Sequence, residues 1–202
     1  MVDLIIVANG TGQRYGSNKL LEKIDERFVI ELTIEKFINI EKIKNIIIVT
    51  NDEIKNILDN KYKNLILVKG GKTRSLSVQK GLNYVKSSFV MIHDGARPYV
   101  GQELINSLIE NIKDSDGIIP ILKITSCLKK IGDTIKTVNR EEYVLSQTPQ
   151  LFKTTSIKKE YANIDENWYD DFQALELKGY KLKTIIGEET NKKITFKKDI
   201  KS

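Results

Sequence analysis

The chain has 202 residues, with 33 lysines and arginines against 27 aspartates and glutamates, and so a formal net charge of +6. This length predicts one domain over residues 1–202, and 40% hydrophobic with 30% charged residues is a globular rather than a disordered composition. No apolar run approaches the ~18 residues that a membrane helix needs, which excludes a membrane-spanning protein.

The single cysteine, Cys127, cannot form an internal disulfide and predicts a reducing, cytoplasmic compartment. Met1 leads almost directly into an apolar strand, so we expect no signal peptide. Only five of the basic residues are arginines, whereas a nucleic-acid surface is usually clustered and arginine-rich. We interpret the evenly spread lysines as solvated helix faces and expect neither a nucleic-acid nor a membrane partner.

Strand-like and helical segments alternate through the first 122 residues. Unbroken runs of Ile, Val and Leu predict buried strands over residues 4–8, 46–49, 65–68, 89–92 and 117–122. Apolar residues at helical spacing predict helices over residues 28–40, 53–60, 77–86 and 102–114. This alternation predicts an α/β fold with a mainly parallel sheet and helices on both faces.

The pattern changes at residues 123–139, which we call the arm. Two short segments flank Gly132-Asp133, a turn pair typical of hairpins, and we interpret the arm as a β-hairpin that serves dimerisation. After the arm, the sequence predicts helices near residues 156–162 and 171–178 and a strand over residues 181–186.

Rare residue types concentrate in segments 10–19, 70–82, 93–100 and 140–152, which hold four of the five arginines and the only histidine. In the first segment, Gly10 and Gly12 allow backbone N–H groups to turn toward an anion, and Arg14 and Lys19 add positive charge. That combination suits a triphosphate at the carboxyl end of a parallel strand. An ordinary tight turn is the alternative, because the loop is neither a dinucleotide-binding fingerprint nor a P-loop.

The second and third segments carry further candidates. Ser77 either caps the helix that follows Gly70-Gly71 or contacts a nucleotide together with Arg74. Asp94, at the end of a strand, suits a metal or a metal-bound phosphate. We interpret His93 as a hydrogen-bonded structural residue rather than a base, and Cys127 and Trp168 as packing residues.

Taken together, these segments resemble the 2-C-methyl-D-erythritol 4-phosphate cytidylyltransferases and their relatives the ribitol-5-phosphate cytidylyltransferases, over residues 4–199. Five motifs carry the resemblance in the same order: Gly-x-Gly-x-Arg (10–14), Gly-Gly-x-x-Arg-x-x-Ser-Val-x-x-Gly-Leu (70–82), His-Asp-x-Ala-Arg-Pro (93–98), Arg140 ahead of Gln-Thr-Pro-Gln-x-Phe (147–152), and Asn-x-Lys-Ile-Thr (191–195).

The resemblance implies a Rossmann-like nucleotidyltransferase fold and a role for each matching residue. Arg14 and Lys19 match the pair that stabilises charge on the reacting α-phosphate. Arg140 and Lys193 match the pair that positions the substrate phosphate, with Arg140 reaching in from the partner subunit. The remaining matches are Ala8, Asn9, Gly10, Thr11, Gly12, Arg74 and Ser77 at the nucleotide, Asp94 beside magnesium–triphosphate, and Thr148 and Arg97 on the substrate side.

The implied function is transfer of CMP from CTP to 2-C-methyl-D-erythritol 4-phosphate in a magnesium-dependent homodimer. A ribitol-5-phosphate or other polyol-phosphate cytidylyltransferase and a non-catalytic nucleotide-binding protein are the alternatives. Two departures from the family pattern bear on the acceptor. The Arg14–Lys19 spacer is shorter than usual and resembles that of molybdenum-cofactor nucleotidylyltransferases, and Ser126-Cys127 replaces the usual Asp-Thr of the arm.

Overall fold

The computed structural model describes residues 1–10 and 18–200. Its strands are β1 (Val2–Ala8), β2 (Lys23–Ile24), β3 (Arg27–Phe28), β4 (Ile43–Thr50), β5 (Leu65–Lys69), β6 (Phe89–Asp94), β7 (Gly117–Lys123), β8 (Lys129–Lys130), β9 (Lys136–Thr137), β10 (Val144–Ser146), β11 (Gln150–Lys153) and β12 (Leu182–Ile186). The α-helices are α1 (Val29–Glu35), α2 (Asp52–Lys61), α3 (Arg74–Leu82), α4 (Gln102–Asn111) and α5 (Thr154–Tyr161). None of the helices in the described ranges is long and apolar enough to cross a membrane.

Strands β5, β4, β1 and β6 pair in parallel and in that order. Successive side chains of β1 point to opposite faces: Leu4 and Ile6 pack with one cluster of buried residues and Ile5 with another. The first cluster receives side chains from α1, α2 and α4, and the second from α3 and α5. The prediction of a parallel sheet with helices on both faces is confirmed for this half of the molecule.

The other half of the sheet is mixed. Strand β11 lies antiparallel between β6 and β7, while β10 pairs antiparallel and β12 parallel with β7. Gly117 pairs with both Phe152 and Leu182, so β11 and β12 occupy opposite edges of β7. The sequence analysis did not predict β10 or β11, because their short segments show no extended apolar run.

The predicted helix over residues 171–178 is wrong. Only a 3-10 turn forms there, at Phe172–Ala174, and Leu177 has a φ of 57°, a backbone conformation that ends any helix. The side chain of Asp171 is fully buried and ion-paired rather than lying on a solvated helix face.

Ser77 is not the cap of its helix. Helix α3 begins at Arg74, and the Thr73 side chain caps it by accepting a hydrogen bond from the Leu76 N–H.

The arm forms the predicted hairpin, in which β8 and β9 pair antiparallel. Cys127 is exposed, so its interpretation as a packing residue is wrong, whereas Trp168 packs edge-on against Tyr161 as expected.

Candidate active site

The candidate site lies at the carboxyl ends of β1 and β6. These strands are adjacent and parallel, with Val7 opposite Asp94, so the chain leaving β1 through Asn9 and Gly10 runs beside Asp94. Open parallel sheets bind ligands at this position. The segment after β12 returns to the same place and brings Lys193 to Asp94.

Asp94 is the centre of a charged cluster. Its Oδ1 accepts a hydrogen bond from Arg74 Nε at 3.2 Å, and its Oδ2 lies 2.8 Å from Lys193 Nζ and 3.6 Å from Arg97 Nε. Three cations therefore face a single carboxylate at the carboxyl end of β6. Burial alone would raise the pKa of Asp94, but Lys193, Arg74 and Arg97 outweigh burial and hold this pKa well below its usual range.

The ionised state of Asp94 restricts its chemistry. A carboxylate that keeps its charge at all working pH values cannot act as a general acid, and its two oxygens are already shared among cations. What the cluster offers a ligand is positive charge, since Lys193 remains partly exposed. The arrangement suits an anionic substrate rather than proton transfer.

Lys19 contacts the C-terminal segment that carries Lys193. Its ammonium donates to the Ile194 carbonyl oxygen at 2.6 Å, one residue beyond Lys193. Arg97 also fixes this segment, because its guanidinium donates to the Asn191 carbonyl oxygen at 2.7 Å. Two residues predicted for different phosphates, Lys19 and Lys193, are thus brought together by residues 191–194.

Thr148 and His93 form a hydrogen-bond chain behind Asp94. The His93 Nε2 lies 3.1 Å from the Arg97 carbonyl oxygen, which can only accept, so this nitrogen carries the proton of a neutral ring. The other nitrogen, Nδ1, then accepts from the Thr148 hydroxyl at 3.1 Å, and the hydroxyl oxygen accepts from the Asp94 N–H. Burial lowers the pKa of His93 to about 4.

This chain supports the structural interpretation of His93, whose two ring nitrogens are both used inside the protein. It also gives Thr148 a contact that the sequence analysis did not foresee. The Thr148 hydroxyl is buried and holds the backbone of Asp94, so it positions the acid whatever else it contacts.

Asn9, which follows β1, contacts the Gly70-Gly71 loop of the predicted nucleotide site. The Asn9 amide donates to the Gly71 carbonyl oxygen at 2.7 Å, and a Cβ on Gly70 would lie only 2.2 Å from Asn9 Cγ. Ser77, inside α3, accepts from the Gly71 N–H at 3.0 Å and donates to the Thr73 carbonyl oxygen. The Ser77 hydroxyl thus fixes the shape of the Gly70-Gly71 loop, and Ala8 ends β1 with its carbonyl oxygen bonded by Thr50.

Not every predicted residue joins this cluster. Arg140 contacts its own neighbourhood, with Nε 3.3 Å from Glu141 and a hydrogen bond to the Thr125 carbonyl oxygen. It lies in an exposed 3-10 turn directly after the arm. Thr11, Gly12 and Arg14 lie outside the described residues.

Two residues of the site were missed by sequence reasoning. Asp171 binds the Arg74 guanidinium through both oxygens, at 3.0 and 2.7 Å, and the Tyr161 hydroxyl donates to the same carboxylate at 2.6 Å. Asp171 follows Tyr169-Asp170 in a polar stretch, which reads as surface. Only the burial of its side chain distinguishes it from its neighbours.

The residues around Asp94 fit a magnesium ion only as a minor set of ligands. Among residues 1–10 and 18–200, no group of three or more His, Cys, Asp or Glu side chains could hold a metal ion. Asp94 supplies hard carboxylate oxygens, which Mg²⁺ prefers, and Mg²⁺ commonly binds through one carboxylate together with substrate phosphates. This donor set therefore fits an ion that is bound mainly by substrate phosphates.

Comparison with known proteins extends over the whole chain. The chain is 34% identical over 204 residues to the bifunctional enzyme IspD/IspF of Pelagibacter ubique, which covers 98% of this chain and 55% of that protein. It is 33% identical over 207 residues to the 2-C-methyl-D-erythritol 4-phosphate cytidylyltransferase of Caldicellulosiruptor saccharolyticus, covering 97% and 92%. The chain thus spans about half the length of the bifunctional relatives that it matches.

Solved structures agree with this similarity. The crystal structure of 4-diphosphocytidyl-2C-methyl-D-erythritol synthase from Anaerococcus prevotii superposes with a TM-score of 0.85 at 31% identity, over 99% of this chain and 94% of that one. The family model for IspD, 2-C-methyl-D-erythritol 4-phosphate cytidylyltransferase, matches residues 2–202. The nucleotidyltransferase fold expected from the motifs is therefore confirmed, and the chain belongs to the IspD family of 2-C-methyl-D-erythritol 4-phosphate cytidylyltransferases.

Proposed function

We propose that this protein transfers CMP from CTP to 2-C-methyl-D-erythritol 4-phosphate, giving 4-diphosphocytidyl-2-C-methyl-D-erythritol and pyrophosphate for isoprenoid biosynthesis. The observation that carries the proposal is the cluster around Asp94, where Arg74, Arg97 and Lys193 converge on one carboxylate. Lys19 joins it through Ile194. Family membership and this excess of positive charge both support a reaction between two phosphate anions.

The reaction needs no protein nucleophile. A phosphate oxygen of the acceptor forms a bond to the α-phosphorus of CTP, while the bond from that phosphorus to the α–β bridging oxygen breaks. Pyrophosphate leaves with the electron pair of that bond. The acceptor oxygen is already ionised, so no general base is required, and the barrier is the approach of two anions.

The residues of this chain lower that barrier by position and charge. Lys19 is proposed for the α-phosphate, together with Arg14, and Lys193 for the acceptor phosphate. Asp94 holds the Lys193 ammonium at 2.8 Å and orients it toward an arriving anion, and because an ammonium has three donors it can bind that anion while it keeps Asp94. Asp94 keeps the three cations apart and oriented, which is electrostatic preorganisation.

We propose Mg²⁺ as the cofactor, carried on the triphosphate with Asp94 as its protein ligand. The ion would neutralise part of the triphosphate charge. The Lys and Arg side chains would neutralise the charge on the remaining phosphate oxygens.

We further propose a homodimer in which the arm delivers Arg140 to the partner's site. Apolar side chains of the arm and of residues 143–145 after it are exposed: Ile131, Ile135, Tyr143, Val144 and Leu145. A two-stranded hairpin is marginal alone in water, and a contiguous exposed apolar patch commonly marks a protein–protein interface. Because Arg140 follows the arm directly, the same contact would carry it into the neighbouring subunit.

Mixing two inactive variants tests the dimer. Lys19→Ala and Arg140→Ala each remove one half of a site, and a mixed dimer with a crossing arm contains one site with both residues intact. Co-refolding should therefore restore activity. If subunit exchange is demonstrated and activity stays absent, Arg140 acts in its own chain.

Pyrophosphate release tests the reaction itself. With CTP and Mg²⁺, we expect release with 2-C-methyl-D-erythritol 4-phosphate and much slower release with ribitol 5-phosphate, and Lys193→Ala should abolish it. Lys183→Ala, a lysine on the far strand β12, is the matched control. CTP binding without release for either acceptor would instead identify a non-catalytic nucleotide-binding protein.

The single exposed cysteine agrees with a cytoplasmic location, which we also propose.

A further inference from the structure

We propose that Asp171 is a positioning residue for this reaction, because it holds the Arg74 guanidinium so that only Nε reaches Asp94. This inference rests on the proposed function and deepens it. Asp171 does not touch Asp94 and acts through Arg74, which binds it directly.

The geometry of Arg74 divides its donors between two carboxylates. Nη1 and Nη2 donate to the two oxygens of Asp171 at 3.0 and 2.7 Å, and Nε donates to Asp94 Oδ1 at 3.2 Å. The strong bidentate arrangement is thus made with Asp171, and Asp94 receives a single, longer bond. A third donor, the Tyr161 hydroxyl, fixes Asp171 at 2.6 Å.

Burial of these charged side chains costs free energy, so a role in the site is a better explanation of the arrangement than stability of the fold. The Asp171 side chain is fully buried and Tyr161 nearly so. A buried ion pair seldom stabilises a fold more than apolar packing would, since desolvation of two charges offsets their attraction. Burial alone would lower the pKa of Arg74, but Asp171 and Asp94 keep this pKa well above its ordinary value, so the guanidinium stays charged at the base of the site.

Without Asp171, the guanidinium would have one remaining anion within reach. It would turn its two-donor edge onto Asp94 and take both oxygens in the bidentate geometry that arginine prefers. Lys193 holds Oδ2 of Asp94 at 2.8 Å and would lose that partner. Asp171 therefore keeps one oxygen of Asp94 available to Lys193, the lysine proposed for the acceptor phosphate.

The experiment compares Asp171→Asn with Asp3→Asn. Asp3 is an equally buried carboxylate at the opposite end of β1, held by the Lys86 and Ser87 N–H groups, so its variant reports the general cost of removing a buried charge. For Asp171→Asn we expect at least a tenfold higher acceptor KM at saturating CTP. Asp3→Asn should leave this KM unchanged. Equal kinetic parameters for the two variants would overturn the proposal.

A double-mutant cycle shows whether Asp171 acts through Arg74. If it does, the double variant Arg74→Met, Asp171→Asn has the same acceptor KM as Arg74→Met alone. Additive losses would overturn the proposal. If Asp171→Asn does not fold, Tyr161→Phe takes its place, with a smaller rise in acceptor KM expected and an unchanged KM contradicting the inference.

An NMR measurement separates this inference from the proposed function. The chain has only five arginines, so the Nε–Hε signals of the apo protein are few enough to assign. Asp171→Asn should shift the Arg74 signal even in an enzyme inactive with either acceptor, and Asp3→Asn should leave it in place. An inactive wild type refutes the proposed function, whereas an unmoved Arg74 signal refutes the positioning role.

Discussion

Acidification should destabilise the folded protein through His93, the only histidine of the chain. Burial lowers the pKa of His93 from 6.5 to about 4, so as the pH falls the unfolded chain binds a proton before the folded one does. The stability contributed by the neutral ring is complete above pH 6.5 and is lost as the pH falls toward 4. Over the whole window the loss is about 3 kcal/mol, of which about 2 kcal/mol falls between pH 7 and pH 5.

Urea unfolding at pH 7, 6 and 5 measures this loss, with the fluorescence of Trp168 as the signal, since this single tryptophan packs against Tyr161. The control is His93→Gln, whose amide can donate to the Arg97 carbonyl and accept from Thr148 but does not titrate. Buried carboxylates such as Asp3, whose pKa is also lowered, contribute equally to both proteins. The wild type should therefore lose about 2 kcal/mol more than the variant, and equal losses would refute a buried, neutral His93.

Three further outcomes are expected. Lys19→Ala should lower turnover ~10²–10³-fold while the affinity for CTP changes only a few-fold. The control Lys23→Ala, at an exposed lysine, should change neither turnover nor affinity, and a collapse of CTP affinity with normal turnover at saturation would contradict this role of Lys19. Gly70→Ala should raise the KM for CTP, because its Cβ would lie 2.2 Å from Asn9 Cγ, and adding Asn9→Ala should recover part of the loss; an additive effect of the two changes would argue against the clash. EDTA should abolish activity and leave thermal unfolding of the apo protein unchanged, whereas a lower Tm would reveal a structural metal.

Sequence reasoning succeeded where a side chain's environment follows from its neighbours in the chain. Apolar runs gave the strands of the parallel half, and the position of Asp94 at the end of one of them placed it in the site. The sequence could not indicate Asp171, since its burial depends on contacts with Arg74, 97 residues away. The prediction of a helix over residues 171–178 was wrong for the same reason. The local pattern favours a helix, but the buried ion pair with Arg74 fixes Asp171 in place and only a 3-10 turn follows it.

The place of β11 in the sheet has a consequence for biosynthesis. The strands formed by residues 2–94 can assemble as soon as they leave the ribosome, but the outer edge of β6 is covered only by residues 150–153. Until then Val90, Met91 and Ile92 present an unpaired apolar edge, the kind of template on which chains aggregate. The Asp94 N–H also lacks its hydrogen-bond acceptor, the Thr148 hydroxyl, until the residues just before β11 are made. A slowed or truncated synthesis that stops short of residue 153 should therefore yield aggregation-prone chains rather than a smaller folded domain.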